Sequence, residues 1–191
     1  MRRTSLLRIG AVLGFLLVAQ AIAFLAYRHV DARRSRGKQA PPQYEELSSG
    51  TEAPDLELER PDGSVVRLSQ LRGTPVLLHF WATWCPPCRE ELPALMACVR
   101  EISRARSVQL LAVSVDRDWA PVRGFFVGEV PPEVVRDRTN NGHLRYEVSH
   151  LPDTYLVTAD GRLTVRFGGA RDWRTHEYRA LLTSLLGPGE E

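Results

Sequence analysis

The chain has 191 residues, of which 43% are hydrophobic and 25% charged, and its formal net charge is +2. That length suits one domain plus an appendage, and the composition suits a packed core rather than a disordered or fibrous chain. The near-neutral charge, with no basic stripe interleaved with aromatics in the body of the chain, argues against a nucleic-acid partner.

Much of the positive charge lies near the N-terminus, at Arg2, Arg3, Arg8, Arg28, Arg33, Arg34, Arg36 and Lys38. Between these groups, Ile9 to Tyr27 carries no charge, and Gln20 is its only strongly polar residue. As a helix this run would be roughly 28 Å long, enough to span a hydrocarbon core of about 30 Å. Residues 1–30 are therefore expected to be a signal anchor with one transmembrane helix. The alternative is a secreted protein, released by cleavage at Ala19-Gln20-Ala21 or Ala21-Ile22-Ala23. The anchor is preferred because charges follow so closely after Tyr27. Arg2-Arg3 also allows a twin-arginine export signal, though Ser5 and Leu6 fit that pattern poorly. The excess of Lys and Arg after the helix favours a cytoplasmic main domain. Large domains translocate despite local charge, so this count is overruled and the main domain is expected on the extracytoplasmic (periplasmic) side of the cytoplasmic membrane, as the resemblance given below implies.

Residues 31–50 are rich in Arg, Pro, Gln, Ser and Gly, as expected of a flexible linker. The folded domain is expected over residues 51–187. Leu56, Leu58, Val65 and Leu68 flank Pro61-Asp62-Gly63, which predicts a hairpin with a tight turn. Pro75 to Trp81 is almost wholly apolar, as in a central strand buried on both faces. Pro86 to Arg104 predicts a helix with Leu92, Leu95, Met96, Val99 and Ile102 on one face and a kink at Pro93. Val108 to Val115 predicts a second buried strand, and Trp119 to Val127 a helix capped by Asp118. Asn140 to Tyr146 suits a short helix. Thr154–Val157 and Arg162–Phe167 predict strands joined by a turn at Asp160-Gly161. Trp173 to Leu186 predicts the last helix, with Gly187 as its C-cap. Strands alternating with helices indicate an α/β fold, with an antiparallel pair at one side.

The three cysteines are Cys85, Cys88 and Cys98. Cys85-Pro86-Pro87-Cys88 falls where a buried strand turns into a helix. At a helix N-terminus, unpaired N–H groups and partial positive charge stabilise a thiolate, so the nucleophile is populated. Pro86 is tolerated there because its missing N–H would have had no partner. Cys88, one turn on, can attack a mixed disulfide formed by Cys85. A zinc site is the competing reading of such spacing, but Cys98 and the five histidines supply no second closely spaced pair. Cys98 is most simply a small core residue.

The segment from Pro75 to Pro93, containing His79-Phe80-Trp81-Ala82-Thr83-Trp84-Cys85-Pro86-Pro87-Cys88-Arg89-Glu90-Glu91, resembles the active-site segment of the thioredoxin superfamily. It is nearest the TlpA/ResA-like branch of membrane-tethered, extracytoplasmic thiol–disulfide oxidoreductases. Leu151-Pro152-Asp153-Thr154-Tyr155-Leu156-Val157, followed by Asp160-Gly161, resembles the same family's cis-proline loop. The resemblance covers roughly residues 51–186. It implies a thioredoxin fold, a central mixed sheet flanked by helices, with an N-terminal β-hairpin and one preceding transmembrane helix.

Carried over by that resemblance, Cys85 is the attacking and Cys88 the resolving cysteine, and Pro152 is the cis-proline. Glu91 matches an acidic residue that tunes the cysteine pair, against a plain reading as a solvated helix-face carboxylate. Trp84, Pro86, Pro87 and Leu151 are expected to line the substrate groove, and Trp81 to pack in the core. His79 departs from the family, which has Asp or Asn there. It suits a proton relay or, more plainly, a buried histidine bonded to backbone. Gly168-Gly169 and Asp172-Trp173 resemble the turn into the last helix. No cofactor beyond the redox-active Cys85–Cys88 disulfide, and no metal, is implied. The expected partners are exported protein thiols and disulfides, with apo-cytochrome c as one client, and a membrane electron donor of thiol-reductase type. An oxidase or isomerase of the same fold is the rival function. A copper-binding assembly factor is disfavoured because two residues, not three, separate the cysteines. A peroxidase would need a peroxide-cleft motif that is absent from the sequence.

Overall fold

A computed structural model describes residues 18–25, 42–48 and 50–187. The chain divides into two units, Met1–Pro41 and Pro42–Glu191. In the first, residues 18–25 are helical, and Val18, Ile22, Phe24 and Leu25 are exposed. The rest of the expected transmembrane run lies outside the described residues, and among those described no helix is long and apolar enough to cross a membrane.

The second unit runs β1 (Glu45–Glu46), β2 (Glu57–Glu59), β3 (Val65–Arg67), a 3₁₀ turn (Leu68–Leu71), β4 (Val76–Trp81), α1 (Pro86–Ile102), β5 (Gln109–Ser114) and α2 (Trp119–Phe125). It continues with β6 (Val134–Asp137), α3 (Gly142–Arg145), β7 (Asp153–Val157), β8 (Leu163–Gly168) and α4 (His176–Leu185). The strands form one sheet in the order β1-β8-β7-β4-β5-β6-β2-β3. β4, β5 and β6 are parallel, whereas β7, β8 and the β2–β3 hairpin add antiparallel neighbours. This is the mixed α/β sheet of a thioredoxin fold.

All six residues of β4 are buried. A strand with neighbours on both edges and layers on both faces has no solvated side, hence the apolar run, which only His79 interrupts. Its side chains alternate between two cores. Leu77 and Trp81 join Leu92, Leu95 and Val99 of α1 and Leu182 of α4. Val76, Leu78 and Phe80 face the opposite layer, with Leu58, Tyr146 and Tyr155.

Several expectations need correction. In the hairpin, Val66 is buried and Val65 exposed, because Leu58 pairs directly with Val66. Residues 42–48 do not behave as linker: β1 pairs with the edge strand β8, and the Leu47 N–H donates to the Thr164 carbonyl. Of the remaining linker residues, 31–41 and 49 lie outside the described residues, and the Gly50 carbonyl accepts from Arg162 Nη1 at 2.7 Å. β6 was not anticipated; it pairs parallel to β5 and joins the hairpin to the sheet. α4 begins at His176 instead of Trp173, since the Thr175 hydroxyl accepts from the Tyr178 N–H and caps the helix there.

Candidate active site

Cys85 is the N-cap of α1, and its Sγ accepts from the Cys88 N–H at 3.3 Å. Pro86 and Pro87 have no N–H, so Cys88 supplies the first donor of the helix, and it points at the Cys85 sulfur. A helix N-terminus favours a nearby anion by about 0.3–1 kcal/mol. The two cysteines are joined as a disulfide. Cys85 is 5% exposed and Cys88 is fully buried.

The turn before Cys85 is held from β5. Asp116, just past that strand, accepts from the Thr83 N–H (3.0 Å), the Thr83 hydroxyl (2.8 Å) and the Ser114 hydroxyl (2.8 Å). Trp84 is 68% exposed at the rim of a groove of about 860 Å³. Cys85, Pro86, Pro87 and Leu151 line the same groove, with Arg117, His143 and His150 on its polar side. The Leu151–Pro152 peptide is cis. Pro152 itself is buried at the start of β7 and does not line the groove; Leu151 does.

Glu91 lies one turn past Cys88 on α1, a spacing that sets side chains about 5–6 Å apart at Cβ. It is not a solvated helix-face carboxylate: it is 4% exposed. Its Oε1 accepts from Trp173 Nε1 (2.5 Å) and its Oε2 from the Arg171 N–H (3.1 Å). Burial pushes its carboxyl up to about 7, outweighing the two hydrogen bonds and the Arg171 charge, which pull it down. Near neutral pH, Glu91 therefore exchanges its proton.

His79 is fully buried on the α1 side of β4. Its Nδ1 bonds to the Thr154 hydroxyl at 2.8 Å, not to backbone, and its Nε2 has no partner. Burial pushes the imidazole down to about 3. A ring that far below neutrality is a weak proton acceptor. Cys98 is buried in the α1 core, where burial raises its thiol pKa. Trp81 is fully buried and donates to the Ala112 carbonyl.

Sequence reasoning missed Asp116 and Arg171 and gave Trp173 no more than a structural turn. No local signal marks them, because each acts on a residue 33 to 82 positions away. Among the described residues no group of three His, Cys, Asp or Glu is placed to hold a metal ion.

A buried cysteine pair on a helix N-terminus, facing a cis-proline loop across a groove, is equipped for dithiol–disulfide exchange. The relatives agree. The family model described as AhpC/TSA matches residues 49–166. The thiol–disulfide oxidoreductase ResA of Bacillus subtilis is 34% identical over 148 residues, covering 76% of this chain and 80% of that protein. ResA of Geobacillus kaustophilus is 37% identical over 119 residues, covering 61% and 67%. A crystal structure of a candidate thiol:disulfide interchange protein DsbE from Chlorobium tepidum superposes with a TM-score of 0.61 at 30% identity, covering 72% of this chain and 98% of that one. StoA from Bacillus subtilis shares the fold, with a TM-score of 0.54 at 20% identity over 74% and 99%. The matched segments contain the cysteine pair and the cis-proline loop, and the chain belongs to the AhpC/TSA family as a ResA-like thiol–disulfide oxidoreductase acting on protein thiols and disulfides.

Proposed function

We propose that the protein is a membrane-anchored, extracytoplasmic reductant of disulfides in exported proteins. The observation that carries the direction of reaction is the buried Glu91 carboxyl one turn past Cys88. Once ionised, it disfavours a second negative charge on the cysteine pair. Destabilising the thiolate form favours the disulfide, so the reduced pair gives up its electrons readily. The helix N-terminus acts the other way, but its effect is small.

In this reading the Cys85 thiolate attacks a client disulfide, forming a mixed disulfide and releasing one client thiolate. The Cys88 thiol then loses its proton and attacks Cys85 Sγ. The second client thiolate leaves, and the Cys85–Cys88 disulfide forms. Two electrons pass to the client, and protons from solvent complete its thiols. A dithiol donor in the membrane, of thiol-reductase class, restores the pair. Pro152 shapes the loop facing the cysteines, and Trp84, Pro86, Pro87 and Leu151 form the client surface. Apo-cytochrome c is a client of suitable chemistry, since it carries closely spaced cysteines. No cofactor beyond the cysteine pair is required. The uncharged run Ile9–Tyr27 supports the anchor, and residues 31–41 the tether.

The reduction potential of the full chain, equilibrated with dithiothreitol or glutathione buffers, tests this. A value at or below about −270 mV, that of thioredoxin, is expected. A value near about −120 mV would make the protein a disulfide-forming oxidant. Absence of a reversible two-electron couple would remove the exchange mechanism.

A further inference from the structure

The loop between β8 and α4 reaches both the cis-proline loop and the helix that carries the cysteine pair. The Gly169 N–H donates to the Pro152 carbonyl at 2.9 Å. Gly169 has φ +80°, which a residue without Cβ adopts freely. Two residues on, the Arg171 N–H meets Glu91. The Arg171 side chain turns to three carbonyls: Nη2 to Gly168 (2.5 Å), Nη1 to Ala170 (3.0 Å) and Nε to Gln43 (3.2 Å). Gln43 belongs to the segment leading into β1, and its own N–H donates to the Tyr178 hydroxyl at 3.2 Å. The Tyr44 ring packs tilted by 47° against Phe167, with ring centroids 6.1 Å apart.

We propose that Arg171 is a positioning residue for the redox pair: its side chain closes the 168–173 loop onto itself and onto Gln43, fixing the N–H that holds Glu91 beside Cys88. The inference rests on the reading that Glu91 tunes the cysteines. A guanidinium suits the task because its planar fork serves several acceptors at once, whereas an ammonium offers one point of charge. Removing it leaves three carbonyls short of a donor and loosens the Glu91 partner. It also removes a positive charge. Both losses favour protonated Glu91.

Around Glu91, Cys88 lies one turn earlier on α1, His79 is on the α1 face of β4, Tyr178 of α4 packs against the Trp173 ring that donates to Glu91, and Arg171 donates its backbone N–H. Asp172 and Arg174 pair with each other at the surface. Among them Arg171 is the one whose charge bears on Glu91.

The test uses the reduced full-length chain and the pH dependence of its exchange rate with an aromatic disulfide probe. Arg171→Ala is expected to move the midpoint of thiolate exchange downward by roughly half to one pH unit, because a Glu91 that keeps its proton opposes the thiolate less. Arg171→Lys, which keeps the charge but not the fork, is expected to move it less, and it serves equally if the Ala variant folds poorly. In a Glu91→Gln background, Arg171→Ala should produce no further shift. An unmoved midpoint in both Arg171 variants, with Glu91→Gln still altering the profile, overturns the role of Arg171 alone. An equal shift in the Glu91→Gln background also overturns it, because the effect would bypass Glu91. A profile unaffected by Glu91→Gln removes the underlying reading of Glu91 and the inference with it.

Discussion

Asp116 grips Thr83 through both its backbone N–H and its hydroxyl, so the end of β5 holds the turn that delivers Trp84 and Cys85 to the groove. Asp116 is 5% exposed, and Asp116→Ala leaves two donors on Thr83 and one on Ser114 without this acceptor. Each buried unpaired donor costs about 1–3 kcal/mol, and relaxation lets water recover part of it. The variant is expected to lose about 2–4 kcal/mol of unfolding free energy in urea and to exchange disulfides more slowly. Thr83→Val, which removes only the hydroxyl, should lose about 1 kcal/mol. Equal losses for the two variants would show that the backbone bond contributes nothing.

Glu91 makes stability depend on pH in a defined direction. Its folded pKa, about 7, lies above its ordinary value of 4.5. The folded state therefore holds the proton more tightly than the unfolded chain. The associated stability is fully present below pH 4.5 and is lost as pH rises through 7. The whole effect amounts to about 3 kcal/mol. The difference in urea unfolding free energy between the oxidised parent and Glu91→Gln should show this decline between pH 4.5 and 8, since the subtraction removes the opposite slope that His79 gives both proteins. A difference that rises with pH over that window would contradict the buried, protonated carboxyl.

His79 shows the opposite sign. Its folded pKa, about 3, lies below its ordinary 6.5, so the fold prefers the neutral ring. That stability is present above pH 6.5 and is lost as pH falls toward 3, by at most about 5 kcal/mol. His79→Ala is expected to cost about 2–4 kcal/mol, as for other emptied core sites. The pH profile of thiol exchange between 6 and 8 should stay where it is. A displaced profile would restore the proton-relay role that the sequence suggested.

Trp84 tests the groove separately from the fold. At 68% exposure its side chain adds little to the core, so Trp84→Ala should change stability by less than about 0.5 kcal/mol. Exposed aromatics at a recognition surface carry much of the binding energy. The KM for a protein disulfide should therefore rise about tenfold, equivalent to about 1.4 kcal/mol, with the reaction of a small disulfide unchanged. An unchanged KM for the protein substrate would exclude Trp84 from the client surface.

The sequence by itself determined what is written in neighbouring residues. The uncharged run that becomes β4, the Asp62-Gly63 turn, the apolar stripe of α1 and the cysteines at its first turn are all local patterns. Side-chain periodicity and turn chemistry act over a few residues, so each was legible without a partner. Tertiary structure alone decided the rest. β6 is four residues long behind Pro131-Pro132, and it becomes a strand because β5 and β2 offer it ladders on both sides. β1 exists because β8 presents an open edge. In the helix pattern Glu91 is one more charge on a polar turn, and only the family resemblance singled it out. It is buried because Trp173 and Arg171, 82 and 80 residues away, close over it and supply its hydrogen bonds. Burial and pairing are properties of distant segments brought together. Their desolvation and hydrogen-bond energies, which set the proton affinities of Glu91 and His79, have no signature in the local order of residues.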